Sequence, residues 1–282
     1  MTTWRRIMVA FAALAVAAVA TAQEHVSFPS LDGAGNAPVV LTGAFFAAPG
    51  ASGPAPAIAM FHGCGGAYDK RGELAQRMRE YATLFNGLGL HVLVVDSLTA
   101  RYEKELCTQR IGKRRVTQAN RRLDALGAIE YLAERHDVDA KRIGLIGWSN
   151  GGSTVLAATN LRHHDVSVAA TRPAFAIAFY PGCEADLKRG YLPSGPLLML
   201  VGQSDDWTPA SACVAMASTA GEPQPEIVTY PGAWHGFDSD APVRVRKDVP
   251  NGVNPGQGVH VGGNPAAWRE SRDRVVKFLA EH

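Results

Sequence analysis

Short, almost unbroken apolar runs alternate along the chain with stretches in which apolar residues recur every third or fourth position. The runs Val39 to Phe46, Ala57 to His62, His91 to Asp96, Arg142 to Ile146, Phe175 to Tyr180, Leu197 to Val201 and Glu226 to Tyr230 predict strands. Near-continuous apolarity marks strands buried on both faces. Between them, Leu74 to Leu84, Ser153 to Ala158 and Ala266 to Ala280 predict helices. Ala119, Leu123, Leu126, Ile129 and Leu132 fall at helical spacing and predict an amphipathic helix from Thr117 to His136. This alternation is that of an α/β domain, a mostly parallel central sheet with helices on both faces. Residues 241–265 break the pattern with recurrent Pro, Gly and Asn, and read as a long loop, either covering a site or running over the surface.

The first residues follow a different logic. Arg5 and Arg6 precede an apolar stretch from Ile7 to Val19, and Ala20-Thr21-Ala22 offers a small-x-small cleavage site. That layout predicts a secretory signal peptide over residues 1–22, its apolar run being short for a membrane span. An uncleaved anchor is the alternative, and the paired arginines admit a twin-arginine export route. Residues 23–282 then form one α/β domain, expected to be secreted or periplasmic without stable membrane association.

Removing this leader changes the charge. The chain has 28 Lys+Arg against 26 Asp+Glu; without Arg5 and Arg6 there are 26 of each. A neutral chain carries no footprint for nucleic acid. The clusters Lys113-Arg114-Arg115 and Arg121-Arg122 read as solvated surface. An even number of cysteines in an exported chain favours disulfides. Cys64–Cys107 and Cys183–Cys213 are the expected pairs, because each joins loops at the same sheet edge; free buried thiols are the alternative. No Cys-x-x-Cys spacing suggests zinc, and His163-His164 reads as an exposed helix end, so neither metal nor organic cofactor is expected. The oligomeric state is not legible.

The chemistry concentrates at Gly147-Trp148-Ser149-Asn150-Gly151-Gly152, between a predicted strand and a predicted helix. Strand, sharp turn and helix are the context of a nucleophile elbow, with the glycines permitting a strained turn and close packing. A glycine-rich turn without chemistry is the plainer reading. A serine nucleophile needs a base, an orienting acid and oxyanion donors. In chain order, the acid is expected after the Leu197–Val201 strand, where Asp205 is preferred to Asp206, and the base is His235. Asp206 is left to cap the next helix. The loop His62-Gly63-Cys64-Gly65-Gly66 supplies one candidate oxyanion amide, that of Cys64, and the amide of Asn150 supplies the other. Trp148, Trp207 and Trp234 neighbour these residues and are candidates for an aromatic substrate wall, each being ordinary core otherwise.

With these motifs placed, the chain from about Val39 to its end resembles the α/β-hydrolase superfamily and, within it, the dienelactone hydrolase-like branch. The resemblance rests on His62-Gly63-Cys64-Gly65-Gly66, Gly147 to Gly152, Gly202-x-x-Asp205 with Trp207-Thr208-Pro209, and His235-Gly236-Phe237. It implies an α/β-hydrolase fold and hydrolysis through an acyl-enzyme. Dienelactone hydrolases themselves use a cysteine nucleophile and carry a glutamate in the oxyanion loop, where this chain has Ser149 and His62. The expectation is therefore a serine hydrolase acting on small-molecule carboxylic esters. A peptidase or amidase on the same three residues, or a non-catalytic binding protein, are the alternatives.

Overall fold

The computed structural model describes residues 23–33 and 38–282, so the expected signal peptide lies outside the described residues. The elements in chain order are β1 (Gln23–Pro29), β2 (Val40–Phe46), β3 (Ala55–Phe61), α1 (Gln76–Gly87), β4 (His91–Asp96), α2 (Gln118–Glu134), β5 (Val138–Trp148) and α3 (Asn150–Thr159). There follow α4 (His164–Ser167), β6 (Phe175–Phe179), α5 (Glu184–Arg189), β7 (Leu197–Gly202), α6 (Ala210–Thr219), β8 (Glu226–Tyr230), β9 (Arg244–Arg246), β10 (Val259–Val261) and α7 (Pro265–Glu281). β1 to β8 form one eight-stranded sheet in the order β1-β2-β4-β3-β5-β6-β7-β8. β2 is antiparallel to both its neighbours, and β4 through β8 run parallel.

Strand residues alternate between two buried layers, as the two-residue period requires. Ala57, Ala59, Phe61, Leu93 and Leu145 face α2, α3 and α6 through Ile129, Val155 and Met216. Ile58, Met60, Val94, Ile146 and Phe179 face α1 and α7 through Phe85, Val275 and Phe278. Both faces are therefore dry, which is why the central strands read as continuous apolar runs. α2 starts at a capping box, in which the Thr117 side chain accepts from the Asn120 amide and Asn120 bonds back to the Thr117 amide.

Three expectations change. β1 is an edge strand that the apolar runs did not reveal, since only Val26 and Phe28 of its seven residues are buried. The segment 241–265 is not wholly loop: β9 and β10 pair antiparallel within it as a separate two-stranded sheet. Their three residues each are too short to show a period. Finally, Arg121 is not solvated surface but fully buried, and Arg122 is paired with Asp165 at 2.8 Å. Charge alone does not expose a residue when the helix face it occupies turns inward and offers polar partners.

Two disulfides are present, Cys64–Cys107 and Cys183–Cys213, and they are compatible with secretion. Among the described residues no helix is long and apolar enough to cross a membrane.

Candidate active site

β5 ends at Trp148, and α3 begins at Asn150, leaving Ser149 alone at the turn. Its φ of 55° lies in the left-handed region, a strained setting for a residue with a side chain. The surroundings hold it there: the Ser149 amide donates to the Phe179 carbonyl at 2.9 Å, and its carbonyl accepts from the Ser153 amide at 2.9 Å. Two flanking glycines are required by space. A Cβ on Gly147 would lie 2.1 Å from the Gly151 carbonyl oxygen, and one on Gly151 would lie 2.0 Å from that of Phe61.

The parallel strands deliver the other groups to the same sheet edge, where open α/β sheets gather their sites. The loop after β7 carries Asp205 and the loop after β8 carries His235, and the two are sewn together by bonds from the Gln203 amide to the Tyr230 carbonyl and from the Ser204 amide to the Ala233 carbonyl. His235 Nε2 lies 2.8 Å from Ser149 Oγ, and its Nδ1 lies 2.8 Å from Asp205 Oδ2. With the Nδ1 proton held by the carboxylate, Nε2 is left to accept the serine proton. Asp205 is itself held by the amides of Trp207 and Thr208 at 2.8 and 2.9 Å on Oδ1. The Thr208 hydroxyl sits 3.0 Å from both Asp205 Oδ2 and the Tyr180 carbonyl, with one hydrogen to give between them.

Asp206 does something else: its carboxylate accepts from the His260 amide at 2.8 Å and lies 2.7 Å from His260 Nδ1, fastening β10. It caps no helix, because α6 starts after Pro209.

The loop that follows β3 approaches the elbow closely, a Cβ on Gly63 falling 3.6 Å from the Ser149 Cβ. Cys64 and Asn150, whose amides were the expected oxyanion donors, both border the space beside Ser149. Buried Arg121 joins the two loops, donating to the His62 carbonyl at 2.9 Å and to Asn150 Oδ1 at 2.6 Å. Burial lowers the Arg121 pKa to about 10, though Asp124 and Asp96 partly offset it. Burial, then the charge of Arg121, lowers His62 to about 3, so its imidazole is neutral, donating from Nδ1 to the Gly63 carbonyl at 2.6 Å.

A second buried centre lies under the site. Asp238 accepts from Tyr180 Oη at 2.6 Å, Trp148 Nε1 at 2.9 Å and Arg77 Nε at 3.1 Å. Burial opposes the charge on Arg77, but Asp238 beside it more than compensates and raises its pKa. The Tyr180 ring in turn packs edge-on against His235 at 4.7 Å. None of this was legible locally, because these partners stand 58 to 161 residues from Asp238 in the chain.

Two cavities meet at Ser149 and share Cys64 and Trp207. The smaller, about 270 Å³, is walled by His235, Tyr180 and Gly236 with Arg77, Arg244 and Arg246. The larger, about 660 Å³, is walled by Val116, Ala185, Pro209 and Val253, with Asn150 and Ser153 at its floor. The three tryptophans divide accordingly. Trp207 packs on His235 at 4.6 Å and separates the cavities. Trp148 is almost wholly buried, stacks on Phe179 and borders the smaller cavity. Trp234 borders neither cavity and instead stacks on His260 at 4.3 Å, which corrects its expected place in the wall. Among the described residues no group of His, Cys, Asp and Glu is disposed to hold a metal ion.

The family model described as the dienelactone hydrolase family matches residues 42–282. The chain belongs to the dienelactone hydrolase family. That family lies within the α/β-hydrolase superfamily. Over 111 residues this family member is 31% identical to the protein YtaP of Bacillus subtilis (strain 168), a match covering 36% of this chain and 37% of that relative. The chain therefore aligns with little more than a third of that relative's length. A dienelactone hydrolase-like promiscuous phosphotriesterase from metagenomic libraries superposes with a TM-score of 0.65 at 18% identity, covering 92% of this chain and 98% of the other. Thermogutta terrifontis esterase 2 with bound propionate gives a TM-score of 0.60 at 19% identity, covering 93% and 94%. At such identities these two likenesses establish the α/β-hydrolase fold.

Proposed function

We propose that this hydrolase is an exported serine esterase that cleaves carboxylic esters through an acyl-enzyme. The observation that carries the reading is the continuous relay Ser149 Oγ–His235 Nε2 and His235 Nδ1–Asp205 Oδ2, both at 2.8 Å, at the mouth of two cavities. Ser149 Oγ attacks the ester carbonyl while His235 takes its proton. The amides of Cys64 and Asn150 receive the negative oxygen of the tetrahedral intermediate; one such donor is worth roughly 3–4 kcal/mol of barrier. The carbon–oxygen bond to the alcohol then breaks, and His235 returns the proton to the departing alkoxide. Water, activated by His235, attacks the acyl-enzyme, releases the acid and restores Ser149. The paired arginines, apolar run and small-x-small site in the sequence of residues 1–22, together with the two disulfides, support export.

Hydrolysis of nitrophenyl esters by the oxidised protein and by Ser149→Ala tests this. The expected result is turnover by the parent and a loss of at least about 10⁴-fold in kcat in the variant. Undiminished turnover in Ser149→Ala would remove Ser149 as nucleophile, and turnover of nitroanilides but not esters would make the protein an amidase.

A further inference from the structure

Ser149 stands between two cavities of unequal size, and the geometry of His235 decides which part of an ester enters each. This inference rests on the esterase reading and deepens it. To release the alcohol, His235 Nε2 must come within hydrogen-bond reach of the leaving oxygen. His235 walls the smaller cavity and not the larger one. The alcohol arm therefore lies in the smaller cavity. The carbonyl oxygen faces the amides of Cys64 and Asn150, so the acyl arm is left to point the other way, past Asn150 and Ser153. We propose that the larger cavity is an acyl subsite, and that the natural substrates are esters of an extended apolar acid with a compact alcohol.

The larger cavity has the dimensions and lining for this. Its 660 Å³ lies in the range of cavities that enclose whole small ligands, against about 270 Å³ on the other side. Val116, Trp207, Pro209 and Val253 give it apolar walls. At its rim, Ile111 is 72% and Val253 54% exposed, apolar surface that an acyl chain would cover. The roof is assembled from two segments joined by Asn251, whose side chain accepts from the Ile111 amide at 3.0 Å and donates to the Gln109 carbonyl at 2.9 Å.

The test is two series of esters: nitrophenyl esters from acetate to octanoate, and acetates of alcohols from methanol to octanol. In the first series kcat/KM is expected to rise by up to about four-fold per methylene, the value of burying one such group. In the second it is expected to stay flat and then fall. Ala185→Trp, which narrows the larger cavity from an exposed helix position, is expected to lower the octanoate-to-acetate ratio at least ten-fold. Ala241→Trp, in the smaller cavity, is expected to spare that ratio and lower the octyl-to-methyl acetate ratio instead. Each ratio is taken within one variant, so a partly misfolded preparation does not move it. Ser149-dependent turnover with the two profiles exchanged, or a flat acyl profile, would overturn the acyl assignment alone. An absence of Ser149-dependent turnover on every ester would overturn the esterase reading and the assignment together.

Discussion

Asp205 and Asp206 are neighbours of the same chemical type, and their surroundings assign them different work. Asp205 holds His235, whereas Asp206 holds His260 on β10. Asp205→Asn is expected to lower kcat by about 10³–10⁴-fold, because an amide favours the wrong imidazole tautomer. Asp206→Asn is expected to cost less than ten-fold; steady-state kinetics of the two variants decides, and equal losses would mean that the relay has been misassigned. Arg121 makes a different kind of demand. Its replacement by Met leaves Asn150 Oδ1 and the His62 carbonyl short of a donor and Asp96 short of a nearby positive charge, while Asp124 keeps its pair with Arg101. The expected cost is about 3–5 kcal/mol of stability in chemical denaturation, with kcat falling and KM nearly kept, since the two loops then lose their common brace. Ser149, Asp205 and His235 stood out in the sequence because each follows an apolar run and has a glycine within three residues. Arg121, Arg77 and Asp238 did not, because their partners come from distant strands and helices and only folding brings them together.

Whole elements were legible in proportion to their burial. The strands from β3 to β8 are covered on both faces or nearly so, and their composition announces them. β1 alternates and sits at the sheet edge, and the short β9 and β10 are held by pairing with each other and by the bond of Asp206 to His260 on β10. The disulfides likewise differ in what they fasten. Cys64–Cys107 ties the loop after β3 to the segment that walls the larger cavity, with a further bond from the Leu106 amide to the Cys64 carbonyl at 2.7 Å. Cys183–Cys213 ties the start of α5 to α6. Removing either pair by double Ala substitution is expected to cost roughly 2–4 kcal/mol. Only loss of the Cys64–Cys107 pair is expected to depress kcat as well, by ten-fold or more, because Cys64 lies beside Ser149. Thermal melts paired with kinetics below the melting range check this, and equal kcat values in the two double variants would refute it.

For the molecule as a whole, His62 couples stability to acidity. Its pKa is about 3 in the folded chain against 6.5 for an ordinary histidine, so between these values the unfolded chain binds a proton that the folded chain refuses. The resulting stability is fully present above about pH 6.5 and is lost progressively as pH falls toward 3. His62→Gln lacks this titration and is expected to lose stability less steeply than the parent over that interval; parallel slopes in acid denaturation would exclude the effect. The division of labour in the molecule has one more consequence. The relay sits on loops sewn to the eight-stranded sheet, while each cavity takes part of its wall from segments that add no strand to it, around 111–117 and 251–253 on one side and 239–246 on the other. On the proposed esterase reading, evolutionary drift in either segment retunes the fit of one half of an ester while the bond-breaking apparatus is inherited intact, so that selectivity diversifies within such a lineage faster than chemistry does.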